Sequence, residues 1–200
     1  LRSCPRTSSS STPMTRDFDP LFDPEWVQRI MADFSGALAP ADIMRAAIEL
    51  ACGSAQNGGG PFGAVLADRD GRIIEHGWNG VVLSRDSTLH AEAHCIRRAQ
   101  RKFQTHDLGE PRFDGAALFS SCAPCIHCFG VIYWSGLKRV YAAASKVDAE
   151  AAGFDEGPLT AEMWAAAQTK KGILYTPGFC AGEAALKPFR LFAACGGRLY

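Results

Sequence analysis

The chain has 200 residues, 47% hydrophobic and 21% charged, which is the make-up of one globular domain with its own core. Its 21 Lys and Arg balance 21 Asp and Glu, so no net charge draws it to nucleic acid or to an anionic membrane. No apolar run approaches the ~20 residues that span a bilayer and no secretory signal stands out, so the 8 Cys are expected as free or metal-bound thiols in a reducing, cytoplasmic setting.

Residues 1–22 read apart from the rest. The opening LRSCPRTSSSSTP is rich in Ser and Arg, with no acid and no apolar period, and is expected to be a disordered tail. It reads as a cloning remnant or an extension upstream of a start at Met14; a fragment of an organelle-targeting peptide is the third reading. The pattern then predicts a helix over DPEWVQRIMADF, with Trp26, Ile30 and Phe34 on one face. A second helix, PADIMRAAIELACGSAQ, buries Ile43, Ala47, Leu50 and Ala51 and stops at the glycines of NGGGPFG. PFGAVLAD reads as a strand, RDGR as a turn, and RIIEHGWN with GVVL as a second, interrupted strand. STLHAEAHCIRRAQRKF is a helix whose Arg97, Arg98, Arg101 and Lys102 are expected to face solvent. GAALFSS is a buried strand, PCIHCFGVIYWSG a helix starting at Pro124, and KRVYAAAS a strand. TAEMWAAAQTKKG is a helix, GILYTPG a short strand, and GEAALKPFRLFAAC a helical region interrupted near Pro188. Alternating strands and helices predict an α/β layered sheet with helices on both faces.

The segment FSSCAPCIHCFG carries Cys122, Cys125 and Cys128 at even spacing, with His127 between the last two. HAE, at His90 to Glu92, opens the preceding helix. Together they form H-x-E…P-C-x-x-C, the signature of the zinc deaminases. Cys125 and Cys128 lie one helical turn apart, so both sulfurs share a face. Zinc takes thiolates and a neutral imidazole, and a catalytic site keeps three protein ligands; His90 is the third. Two helix N-termini directed at the metal favour the thiolates. Glu92 follows the ligand His by two and can face the open metal position without binding it, which suits a proton carrier. Competing readings are weaker. An iron–sulfur cluster needs a fourth cysteine, and Cys95 and Cys180 are badly placed for it. A redox pair at Cys125 and Cys128 leaves HAE as coincidence. A closed structural zinc site would need a fourth ligand from His94 or His127, which read better as packing or polar contacts. Cys122 reads as the small buried end of the strand.

From Ala41 to Tyr200 the chain resembles the cytidine deaminase superfamily, and within it the guanine deaminase branch. The resemblance is carried by GGPFGAVL, NGVV, HAEAHCIRRA, SSCAPCIHCFGVIYWSGLKRVYAA and AAGFDEGP. Ala123 departs from it, since guanine deaminases commonly carry Glu before the Pro-Cys pair. The resemblance implies a three-layer αβα sandwich with a five-stranded mixed sheet, formed by residues 23–200. It implies Zn2+ on His90, Cys125 and Cys128, with metal-activated water attacking the ring carbon that bears the exocyclic amine. Glu92 would move protons from the water to the ring and to the departing ammonia. The Cys125 amide, and the Ser121 or Cys122 carbonyl, could contact the reacting groups. Asn79 would read the base edge, or else serve as a turn residue beside Gly77 and Gly80. Phe62 would stack on the ring, or else belong to the core. Ala91 is implied as a further substrate contact. Glu156 would reach the purine as an acid, with Asp155 the alternative register; two solvated loop acids are the bland reading. Phe189, Phe192 and Tyr200 resemble the segment that closes the site, which in that branch can come from the partner of a swapped homodimer.

Guanine, converted to xanthine and ammonia, is therefore the leading substrate, a small-molecule nucleobase. Other aminated rings (cytosine, guanosine, a triazine such as ammeline) follow. A transfer-RNA adenosine deaminase shares both motifs but wants a basic surface, which the neutral charge denies. A zinc-stabilised binding module without catalysis would not be expected to keep Glu92.

Overall fold

A computed structural model describes residues 22–200. The expected tail over 1–22 lies, all but Phe22, outside the described residues. A five-stranded mixed sheet runs in the order β2-β1-β3-β4-β5. Its strands are β1 (Gly63–Ala67), β2 (Ile73–Trp78), β3 (Ala117–Cys122), β4 (Arg139–Ala144) and β5 (Leu174–Thr176). β1 is antiparallel to β2 and to β3, while β3–β4 and β4–β5 are parallel. β1 and β3 are buried along their whole length, as strands covered on both faces must be.

Side-chain alternation sorts the two faces. Val65, Ala67, Ala117 and Phe119 join a core cluster with α1 (Glu25–Met31), α2 (Pro40–Gln56) and α8 (Glu183–Ala194). Ala64, Leu66, Leu118 and Val140 join a second cluster with α4 (Ala91–Phe103), α5 (Ile126–Ser135) and α7 (Ala161–Lys171). The result is the expected αβα sandwich, with α2 and α4 the main slabs on opposite sides. No described helix is long and apolar enough to cross a membrane.

Several local expectations need correction. GVVL does not return to the sheet but forms α3 (Val81–Ser84). Asn79 Oδ1 accepts from the Val81 amide at 3.3 Å and Ser84 Oγ donates to Gly80 O at 2.7 Å, so local polar bonds outweigh the β-branched valines. α4 starts at Ala91 rather than Ser87, because Asp86 Oδ1 holds the Thr88 amide and hydroxyl in a turn and His90 stays extended as N-cap. α5 starts at Ile126, with Cys125 rather than Pro124 at its entrance. α8 passes through Pro188 unbroken, the ring being buried. α6 (Lys146–Ala151) has no counterpart among the expected elements, although its Ser145–Asp148 capping box is written as S-x-x-D.

The basic face of α4 divides. Arg101 and Lys102 are exposed, but the Arg98 side chain is only 10% exposed. It lies 2.8 Å from Asp23 Oδ1 and 3.0 Å from Glu75 Oε1, tying α4 to β2 and to the entry of α1.

Candidate active site

The site forms along one edge of the sheet, where β2 and β3 end and β1 begins. β2 delivers Asn79 and the segment before β1 delivers Phe62; the Asn79 amide donates to Phe62 O at 3.0 Å, joining the two. The N-termini of α4 and α5 meet at the same edge. His90 is the N-cap of α4 and Cys125 the N-cap of α5, both in extended conformation. Cys128 lies one turn into α5, beneath Cys125.

His90, Cys125 and Cys128 each offer one ligand atom, and these atoms lie within 4.8 Å of one another. Cys125 Sγ stands 3.5 Å from His90 Nδ1. A tetrahedral zinc with ordinary Zn–S and Zn–N bonds sets its ligands about 3.6 Å apart, so the residues fit that ion. The electrostatics fit as well. A hydrogen bond from Cys128 lowers the Cys125 thiol to about 4, burial opposes this, and His90 adds to it. These contacts favour the Cys125 thiolate, the form that ligates a metal. Burial pushes Cys128 well above its ordinary value, and its thiol lies 3.1 Å from Glu92 Oε2. A divalent cation among the three would supply the charge that lets Cys128 release its proton too. His94 and His127 are not ligands in this arrangement. His94 is wholly buried, its Nδ1 3.0 Å from Trp78 O, and His127 Nε2 lies 3.2 Å from Thr88 O. Cys122 ends β3, buried, as its sequence context suggests.

A cavity of about 340 Å³ opens over this group. Phe62, Asn79, His90, Ala91, Glu92, Cys125, Cys128, Asp155 and Glu156 all line it, whereas Ser121, Cys122, Phe189 and Phe192 do not. Glu92 is buried, and that burial, with the Cys125 charge, raises its carboxyl above the usual range. Burial, then the charges of Cys125 and Glu92, push Glu156 up to about 8. Of the two loop acids, Glu156 is buried while Asp155 is exposed, with Oδ1 accepting from the Gly157 amide at 2.9 Å. The loop sits against α5: the Ile126 amide donates to Glu156 O at 3.2 Å, and a side chain at Gly157 would meet Ile126 at 2.5 Å.

Asn79 is 1% exposed and its amide is oriented by its surroundings. Oδ1 accepts from the Gly60 and Val81 amides, both at 3.3 Å. Ser54 Oγ donates to Asn79 O at 3.0 Å, and Nδ2 is left without a hydrogen-bond partner. Phe62 lines the cavity and packs edge-on to Phe154 and Phe189. Val81, Ser87 and Phe154 also line the cavity, and no sequence pattern marks them for it, because only the fold turns them inward. Tyr200 lines it too, with its ring 5.6 Å from that of Phe154.

Residues 40–144, more than half of the chain, match the family model for the cytidine and deoxycytidylate deaminase zinc-binding region. The chain belongs to this zinc-binding deaminase family. Within it, the deaminase is similar to a guanine deaminase of Bacillus subtilis, 43% identical over 122 residues, covering 60% of this chain and 74% of the relative. It is also similar to a transfer-RNA-specific adenosine deaminase of Buchnera aphidicola, 35% identical over 105 residues, covering 52% and 66% respectively. The solved guanine deaminase of Nitrosomonas europaea superposes on the deaminase with a TM-score of 0.79 at 34% identity, covering 88% of this chain and 96% of that one. At 88% of this chain, that likeness extends past residue 144, where the family model stops.

Proposed function

We propose that the chain hydrolyses guanine to xanthine and ammonia, with Zn2+ held by His90, Cys125 and Cys128. The observation that carries this reading is the single cavity in which the metal group meets two buried acids and the oriented Asn79 amide. When bound, zinc supplies Lewis-acid activation of a water molecule. Glu92, beside the metal group, accepts the proton that the water gives up as its oxygen adds to guanine C2. It passes that proton to the adjacent ring nitrogen, then carries the proton of the new C2 hydroxyl to the amine, so that the C2=O bond forms as the C–N bond breaks and ammonia leaves. Asn79 presents Nδ2 as a donor, which suits the acceptor-bearing edge of a 6-oxopurine. Glu156 faces the donors of guanine, N1–H and the 2-amino group, with Asp155 at the rim. Phe62 and Phe154 give the ring an apolar wall, and Ala91 leaves room beside the reacting carbon. At about 340 Å³ the cavity suits a free base.

A cytoplasmic homodimer belongs to the same reading. Cys52, Cys95 and Cys122 are buried free thiols, which suits a reducing compartment. α5 is apolar around much of its circumference, yet its Trp134 is 75% exposed, a surface suited to a second copy. Tyr200 lines the cavity of its own chain, and exchange of the segment between subunits would put an identical residue there.

The test is ammonia release from guanine, guanosine, cytosine, adenine, ammeline and transfer RNA, with zinc measured alongside. Guanine is expected to lead, and preference for cytosine or for transfer RNA would overturn the substrate. Glu92→Ala is expected to retain zinc and lose ammonia release by at least a hundredfold. Undiminished turnover in that variant would sink the mechanism.

A further inference from the structure

Glu92 is a long, rotatable side chain asked to carry a proton between two fixed points, so something must hold its carboxylate still. One of its oxygens, Oε2, lies 3.1 Å from Cys128 Sγ. A sulfur that ligates a metal is a thiolate with no proton to donate. The other oxygen, Oε1, accepts from Ser120 Oγ at 3.0 Å. That donor is a hydroxyl on β3, outside the metal group, and it keeps its proton whatever the two cysteines do. Ser120 is 2% exposed and Glu92 6%, so water does not compete for the bond.

The sheet is shaped for this contact. Ser120 pairs across β1 with Ala64 and across β4 with Ala142, both fully buried. Small residues on either side let the first turn of α4 settle close over β3, bringing Glu92 within reach of a short side chain. A larger residue at either flank would lift the helix and break the contact.

We propose that Ser120 is the positioning residue of the proton carrier: its hydroxyl pins Oε1 and so presents Oε2 to the reacting water and ring. The inference rests on the deaminase reading of the site, and its test separates the two. Ser120→Ala is nearly isosteric between two alanines and removes only the donor. It is expected to lower kcat about ten- to a hundredfold on the best ring found for the wild type, with KM within about twofold and zinc stoichiometry unchanged. Ser120→Thr, which keeps the hydroxyl, is expected to recover most of the rate. In crystals of the zinc-loaded proteins, the Glu92 carboxylate of Ser120→Ala is expected to turn away from its wild-type rotamer. Unchanged kcat, a loss confined to KM, or an unmoved Glu92 overturns the inference. A wild type that deaminates no ring overturns the functional reading instead, and the Glu92 rotamer then decides the role of Ser120 by itself.

Discussion

Asn79 shows how one residue acquires a direction. An amide side chain has an acceptor end and a donor end of nearly the same shape. Here two backbone amides occupy the acceptor, which leaves the donor on the cavity side, beside the Tyr200 hydroxyl. Gly60 is part of this, since a side chain there would meet Asn79 Oδ1 at 2.9 Å. Asn79→Asp keeps the acceptor and the shape but removes the donor. We expect it to raise KM for guanine about tenfold or more, a loss of about 1.4 kcal/mol or greater, while kcat falls less. Equal KM values for the two proteins would show that Nδ2 does not touch the base. Ser54, which holds the Asn79 carbonyl from within α2, is expected to contribute to stability: Ser54→Ala leaves a buried acceptor unpaired, at a cost of about 1–3 kcal/mol in denaturant unfolding.

At the scale of elements, short α1 is held by charge as much as by packing. Asp23, just before it, lies 3.0 Å from His76 Nε2 and 2.8 Å from Arg98 Nη1. Burial alone would raise Asp23, but hydrogen bonds and charge from His76 and Arg98 outweigh it and lower the carboxyl below its ordinary 3.8. An acid depressed on folding stabilises above its unfolded value, and that stabilisation disappears as the pH falls through the folded one. The docking of α1 is therefore expected to be intact above about pH 4 and to weaken below it. Trp26, in α1, packs edge-on to the buried Trp78 with ring centres 5.6 Å apart, so tryptophan fluorescence reports the event. Asp23→Asn is expected to loosen α1 at neutral pH and to erase this acid transition. The same acid transition in Asp23→Asn as in the parent would assign it to another carboxyl.

Taken whole, the molecule joins its two helical layers through the sheet, and the metal group ties together two helices of one layer. His90 and Cys125 begin different helices, so an ion between them links α4 to α5 as well as serving chemistry. Anything bound to the folded state alone stabilises it by mass action, about 2.7 kcal/mol at a hundred times its dissociation constant. Removing zinc with a chelator is accordingly expected to lower Tm by roughly 5–10 °C and to abolish ammonia release, both restored by added zinc. A chelated protein with unchanged Tm would mean that the ion contributes nothing to holding α4 against α5.

Much of this was legible in the chain itself. The candidate metal ligands, the proposed proton carrier and the layered α/β order follow from HAE, PCIHC and the alternation of strand and helix periods, because metal chemistry restricts ligand type and spacing within a few residues. Tertiary structure decided what depends on residues distant in sequence. It chose Glu156 over Asp155 as the buried acid, since a loop acid is inside or outside only once α5 packs beneath it. It turned GVVL into a helix through the Asn79 side chain, and drew Arg98 out of solvent into a charge network. It also placed Ser120 under Glu92, 28 residues apart, a contact that no local pattern encodes because only the sheet brings β3 beneath the first turn of α4.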